Sequence, residues 1–538
     1  MKDHHVINFQ VLPTTISDSQ ATVVWEKSTF AKHLSGYQIF LAGQCIAQLP
    51  QNKTHFTIQN LQANHSYQIA LYCVTEEGQR IEHTQVTCSF ATMSKSERID
   101  VTRAPYRIDP TGKTLSTVRL QQAIDDCPNG GTILIPKDAI ILSGAIQLKS
   151  NMILQIDGCL TASQNPDDFR FFDSSHYIGT CNDDGLALSR YEGWELYCYR
   201  SLINIGYIDP SDRQKVVCEN VRICGSGSII GGGNQLGMAM REIYADEERF
   251  PEYTSDYKPG RRARGRLLCT MQAKNVHITG LTMIDPPCWT IHMIYSDTIV
   301  SNSLKILSKG IDNGDGWDPD SSRNLWLFDT EFDTGDDCVA IKSGKNPEGN
   351  VVNIPTKEVH IFDLNIKGGH GIAIGSEQSG GIEDIYISDC VIKNTLYGIE
   401  LKAQNERGGY IKNVHIHDCH IDRFMAHPVT YNADGHSAQT LPVFSDIFLT
   451  NVTITGEGRV IELIGFSNDV TQKTEPIEGV HLKWIHVKAK MQEAEILLTH
   501  CRKVHLYSIS VLKEESWITP IDNQDIESVT FQPMAIYL

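Results

Sequence analysis

Four short segments in the middle of the chain hold the residues best suited to chemistry. GDGWDP (314–319), DDCVAIKSG (336–344), HGIAIGSE (370–377) and YGIELKA (397–403) align, the last three on an apolar-x-apolar strand. In that alignment Asp315, Asp337, His370 and Tyr397 share one position, 22, 33 and 27 residues apart in turn. If each interval is one coil of a repeating structure, strands about 4.8 Å apart stack these residues as a ladder. Asp336 directly precedes Asp337, so three carboxyl groups would crowd one patch. Crowded carboxylates raise each other's pKa, a cost with little structural return. Hydrolysis of a glycosidic bond needs that separation. One protonated carboxyl serves the leaving oxygen and one ionised carboxylate directs water.

Simpler readings apply to each residue alone. A lone Asp-Asp pair is usually an exposed turn. Clustered acids also suit calcium, but DGWDPDSS (315–322) lacks the final bidentate acid of a calcium loop. No metal and no cofactor are therefore expected. His370 stands between Gly369 and Gly371, which leaves its imidazole approachable.

The elements that must position these residues follow from a longer repeat. NVHITGLTMID (275–285), NLWLFDTEFDTG (324–335), EVHIFDLNIKGG (358–369), DIYISDCVIKNT (384–395), NVHIHDCHIDRF (413–424), DIFLTNVTITGE (446–457) and GVHLKWIHVKAK (479–490) share a polar residue, an alternating strand, a turn and a second short strand. Short strands at such intervals without intervening helices predict a parallel β-helix. TLSTVRLQQAIDDCP (114–128) reads as a helix able to cap an open end of that solenoid. Residues 1–95 alternate in short strands and predict a small β-sandwich with Trp25, Tyr37, Leu61 and Tyr67 in its core. A linker at 96–103 and a β-helix over 104–538 complete the expected division.

Charge and composition narrow the partners. The chain has 47 basic and 65 acidic side chains, a net −18, and no long basic run. That argues against nucleic acid, which needs a concentrated positive face. No apolar run is long enough to span a membrane. The first residues contain no apolar leader core, and the 15 cysteines are odd in number without paired spacing. These features predict a cytoplasmic protein with reduced thiols. A chain whose leader had been removed would read the same, so a periplasmic or secreted location is the alternative. Oligomeric state is not readable.

Two resemblances add to this. The early Trp25 and the spacing of Leu61 and Tyr67 resemble a fibronectin type III domain. The aligned motifs resemble glycoside hydrolase family 28, the polygalacturonases. Its Asn-Thr-Asp, Asp-Asp, Gly-His-Gly and Arg-Ile-Lys stand here as Asn313-Gly314-Asp315, Asp336-Asp337, Gly369-His370-Gly371 and Glu400-Leu401-Lys402. The similarity runs over about residues 104–538, through NGGTILIP (129–136), SGAIQLKSNMIL (143–154), NPDDF (165–169) and CWTIHM (288–293).

The resemblance implies an all-β right-handed parallel β-helix and inverting hydrolysis of galacturonosidic bonds. Asp336 would be the general acid, Asp315 and Asp337 would hold and deprotonate water, and His370 would tune protonation or contact the sugar. Lys402 would bind the sugar carboxylate, with Asn313 among the substrate-binding residues. Glu400 replaces the family arginine and cannot clamp a uronate by charge. Arg407 follows closely and could replace it, or Glu400 could bind a neutral hydroxyl.

Residues 181–265 read as an insertion rich in aromatics and arginine, with RYEGWELYCYR (190–200) and GRRARGR (260–266). Its plain reading is solvated loops. Its functional reading is a wall closing the cleft, with Trp194 or Tyr191 stacked on sugar and arginines meeting uronate, which favours attack at chain ends. Alternatives to an exo-polygalacturonase are a hydrolase of rhamnogalacturonan or substituted galacturonan, a pectin lyase, and a non-catalytic carbohydrate-binding protein.

Overall fold

The computed structural model describes residues 6–27, 34–171, 178–430, 435–468, 473–488, 495–511 and 529–531. The chain divides into two compact units, Met1–Arg98 and Ile99–Leu538.

The first unit is an antiparallel sandwich. Ile7–Val11, Ala21–Glu26 and His55–Ile58 form one sheet. Gln44–Pro50, Leu34–Leu41, Ser66–Thr75 and Val86–Ala91 form the other. Alternation with period 2 sends Val23, Trp25, Tyr37, Ile39, Ile69 and Leu71 into the core between them. Leu61 is also buried. Tyr67 packs at the core's margin, where its ring stacks on Phe90 and its hydroxyl accepts the Gln62 N–H at 2.8 Å.

The second unit is a parallel β-solenoid. Residues Arg98–Asp100, inside the stretch expected to be a linker, form a strand that joins it. The helix Thr117–Asp126 buries Leu120, Ala123 and Ile124 against the solenoid core. The repeat segments form long strands such as Arg323–Asp333, Thr356–Ile366 and Val443–Ile454, which pair in parallel register. Residues 489 and 490 of the last repeat lie outside the described residues.

One parallel sheet carries the site. Among the described residues it has eleven strands, and Ile291–Ile294, Trp317–Asp320, Val339–Ile341, Gly371–Ser376, Gly398–Ala403 and Phe424–Pro428 are its middle members. Ile291, Trp317, Val339, Ile372, Ile399 and Phe424 lie in one column and all point into the core. An inward side chain fixes its neighbours outward, because side chains alternate across a strand. Asp318, Ala340, Ala373, Glu400 and Met425 therefore form an outer column. Asp320, Lys342, Gly375, Lys402 and His427 form the next.

Candidate active site

The column that sets the sheet's register also sets the ladder. Trp317 pairs with Val339, Val339 with Ile372, and Ile372 with Ile399. Two residues before each stand Asp315, Asp337, His370 and Tyr397. Asp336 and His370 are partly exposed, at 26% and 32% of the side chain, whereas Asp337 is 8% exposed. Asp315 and Asp318 are buried. The exposed pair is thus the part of the cluster that can meet a substrate.

Two lines of alternating charge converge on these acids. In the first, His370 Nδ1 lies 3.0 Å from Asp336 Oδ1 and 3.5 Å from Asp337 Oδ1. Asp337 Oδ2 accepts from Lys402 Nζ at 3.2 Å, and Lys402 Nζ lies 3.3 Å from Glu400 Oε2. His427 then bridges Glu400 at 2.8 Å and Glu462 at 2.6 Å. In the second, Lys342 Nζ sits 3.6 Å from Asp315, 3.5 Å from Asp318 and 3.4 Å from Glu377. Arg407 lies 4.0 Å beyond Glu377 and donates to Ser376 Oγ at 2.8 Å.

These contacts push the acids apart. Burial, reinforced by Asp336 and Asp318, raises the Asp315 carboxyl well above its usual range, and Lys342 offsets this only in part. Burial likewise lifts Asp318 to about 7. Burial would raise Asp337 too, but Lys402, the His370 hydrogen bond and Lys342 outweigh it and hold that carboxylate well below its usual range. Hydrogen bonds to Asp336 and Asp337 lift His370 to about 10, so its imidazole carries a proton. One cluster therefore holds both an obligate carboxylate and a bound proton.

Asp318 and Lys342 belong to this site, although sequence reasoning passed over them. Both lie inside the aligned segments, on the outer face opposite Trp317 and Ile341. Lys402 reaches Asp337 across the rung of Gly375. At Gly375, where φ is +95°, a Cβ would collide with the Lys402 carbonyl oxygen.

The insertion is a folded wall. A hairpin of Ala187–Tyr191 and Trp194–Cys198 and a helix, Gly233–Glu242, make up much of it. Trp289 precedes Ile291 by two residues and so fills the rung next to Asp315. Tyr191 stacks on it at 4.7 Å, and the Arg266 guanidinium lies 5.1 Å from its ring centre.

This wall corrects several expectations. Tyr191 is buried and stacked on protein. Trp194 donates to Asn346 O at 2.9 Å, with Lys345 and Arg262 lying 4.4 and 4.7 Å from its ring centre. Tyr191 is therefore not offered to a sugar, and Trp194 keeps only partial exposure. The arginines are likewise committed within the protein. Arg190 pairs with Asp320 at 2.9 Å, and Arg264 donates to Tyr191 Oη and Asn313 Oδ1, each at 2.6 Å. Asn313 thus anchors the wall through its side-chain oxygen. Arg407 stands with Glu377, not in place of the family arginine.

Asp336, Asp337 and His370 present possible metal ligands within 4.8 Å of one another. A cation there would have to displace the proton that His370 Nδ1 shares with both carboxylates, which opposes binding.

Comparison with known proteins accords with this geometry. The model of Glycosyl hydrolases family 28 matches residues 214–500, more than half of the chain, and that of the Fibronectin type III domain matches residues 6–89. An exo-poly-alpha-D-galacturonosidase of Dickeya chrysanthemi is 23% identical over 85% of this chain and 84% of its own length. A probable polygalacturonase of Vitis vinifera is 28% identical over 71% and 73%. The solved family 28 exopolygalacturonase of Yersinia enterocolitica superimposes with a TM-score of 0.80 at 24% identity, covering 99% of this chain and 98% of that one. An exopolygalacturonase from Thermotoga maritima gives 0.61 at 22% identity over 75% and 90%.

Proposed function

The chain belongs to Glycosyl hydrolases family 28, and we propose that it cleaves α-1,4-galacturonosidic bonds of oligo- or polygalacturonate from a chain end, with inversion. The observation that carries this reading is the opposed electrostatics of one carboxyl cluster. Asp337 is held ionised by Lys402, while Asp315 is driven toward its protonated form. Asp337 takes the proton of the attacking water, and Asp315, protonated beside it, holds that water in place. Asp336 is the exposed member of the cluster, and it delivers a proton to the glycosidic oxygen. Lys402 offers its ammonium to the sugar carboxylate.

Exo-action is supported by the wall. The rung next to Asp315 is filled by the stacked rings of Trp289 and Tyr191, which supports a cleft closed on that side. The exo-acting relatives from Dickeya, Yersinia and Thermotoga support the same reading. Defined oligogalacturonates test it. Galacturonic acid should be the first and only small product at early times, and an initial mixture of lengths would indicate internal cleavage. A second reading, hydrolysis of rhamnogalacturonan or substituted galacturonan, rests on Glu400, whose rung carries no guanidinium. Cleavage of rhamnogalacturonan fragments with oligogalacturonates left intact would favour it.

A lyase of the same architecture would leave an unsaturated, ultraviolet-absorbing product and depend on calcium. Reducing ends should instead appear without that band, at a rate unchanged by EDTA. Loss on chelation with recovery on adding calcium would overturn the hydrolytic assignment.

Family membership corrects the expectation of a cytoplasmic protein. Polygalacturonases of this family are characteristically secreted or periplasmic and act on extracellular pectin. That expectation rested on a missing leader core and on cysteines without paired spacing. The fifteen are indeed free thiols, but neither feature reports where a chain acts.

A further inference from the structure

Glu400 occupies the place where the resemblance puts a substrate-binding arginine, yet its geometry does not suit contact with substrate. Its side chain is 3% exposed, with one oxygen on His427 and the other on Lys402. Beyond it, both ring nitrogens of His427 face carboxylates, Nε2 toward Glu400 at 2.8 Å and Nδ1 toward Glu462 at 2.6 Å. A neutral imidazole has one N–H and could satisfy only one of them. With both acids ionised, two donors at these distances require the imidazolium. Glu462 is in turn paired with Arg459 at 2.9 Å. The charges therefore alternate without a break from Arg459 through Glu462, His427, Glu400 and Lys402 to Asp337.

We infer that His427 is a positioning residue for hydrolysis, whose imidazolium neutralises Glu400 and Glu462 so that Lys402 stays directed at Asp337. This rests on the proposed hydrolytic function. Without the imidazolium, two buried carboxylates two rungs apart in one column would lack a shared counter-charge. Glu400 would then draw the Lys402 ammonium away from Asp337, and the water-directing carboxylate would lose its closest cation. The charged groups facing His427 are Glu400 and Glu462, and those facing Asp337 are Lys402, His370, Lys342, Asp315 and Asp336. Burial lowers the His427 pKa, but the two carboxylates outweigh it and lift it to about 9.

An aryl α-galacturonide whose leaving group needs no proton exposes this group, because the general acid then drops out of the alkaline limb. Wild-type kcat/KM should still fall above about pH 9. Glu400→Gln removes one carboxylate and should move that limb toward neutrality. His427→Gln should leave only the later limb at about pH 10, where His370 loses its proton, and lower kcat/KM at pH 7 roughly 10- to 100-fold. A limb that stays put in both variants means a merely structural histidine and overturns the inference. NMR of ¹³Cε1-labelled histidine reads the same group without substrate. Wild-type His427 should remain protonated to about pH 9. Titration near the ordinary 6.5 or so would sink the inference whatever the enzyme cleaves. Absence of wild-type turnover on every galacturonide, with His427 still protonated at pH 8, would instead fault the proposed reaction alone.

Discussion

Asp336→Asn lowers kcat on oligogalacturonate by about 10²–10⁴-fold, the usual loss when a general acid is removed. Exposure singles this residue out from its neighbours. Asp315 and Asp337 are buried, whereas a quarter of the Asp336 side chain reaches solvent. The informative comparison is with leaving groups. On an aryl galacturonide that departs unprotonated, Asp336→Asn should recover most of its rate, since its missing proton is no longer needed. Asp337→Asn should not recover, because water still has to be deprotonated. Kinetics of both variants on both substrates decide the roles. Recovery by Asp337→Asn in place of Asp336→Asn would exchange acid and base and refute these roles.

The ladder was legible because parallel strands keep one register, so residues at the same offset from equivalent positions stack. Once Trp317, Val339, Ile372 and Ile399 are recognised as equivalent inward positions, Asp315, Asp337, His370 and Tyr397 must share a level. No contact information is needed for that step. The family motifs were legible for a related reason, since each is a short run fixed to one strand entrance. The wall was legible only as a composition of aromatics and arginines. Which of them face substrate depends on tertiary partners, and Tyr191 and Arg264 are used up by Trp289 and Asn313.

What the sequence hid are contacts that cross rungs. Lys342 reaches Asp315 and Asp318 from the neighbouring strand, and Lys402 reaches Asp337 over Gly375. Such reach is a matter of tertiary placement, and a pattern of polar positions along one strand does not contain it. Glu400 illustrates the consequence. Read alone it is a carboxylate in the place of a guanidinium. Read with His427 and Glu462 it is one member of a balanced row.

Lys342→Met destabilises the solenoid by about 3–5 kcal/mol at neutral pH, the cost of leaving buried charge without its partner. The ammonium is buried and shared among Asp315, Asp318 and Glu377, so its loss strands three acids at once. The pH dependence separates this from a packing defect. Asp315 and Asp318 already have folded-state pKa values above those of an unfolded chain, Asp318 at about 7. Such groups favour the folded state in their protonated form, so their contribution is present at acid pH and lost as pH rises through the folded pKa. Removing Lys342 raises both values further and makes the loss steeper. The difference in unfolding free energy between wild type and variant should therefore grow from about pH 5 to about pH 8. Denaturant unfolding at the two pH values measures it. An equal difference at both would mean that methionine merely packs badly against Trp289, and that Lys342 does not balance the acids electrostatically.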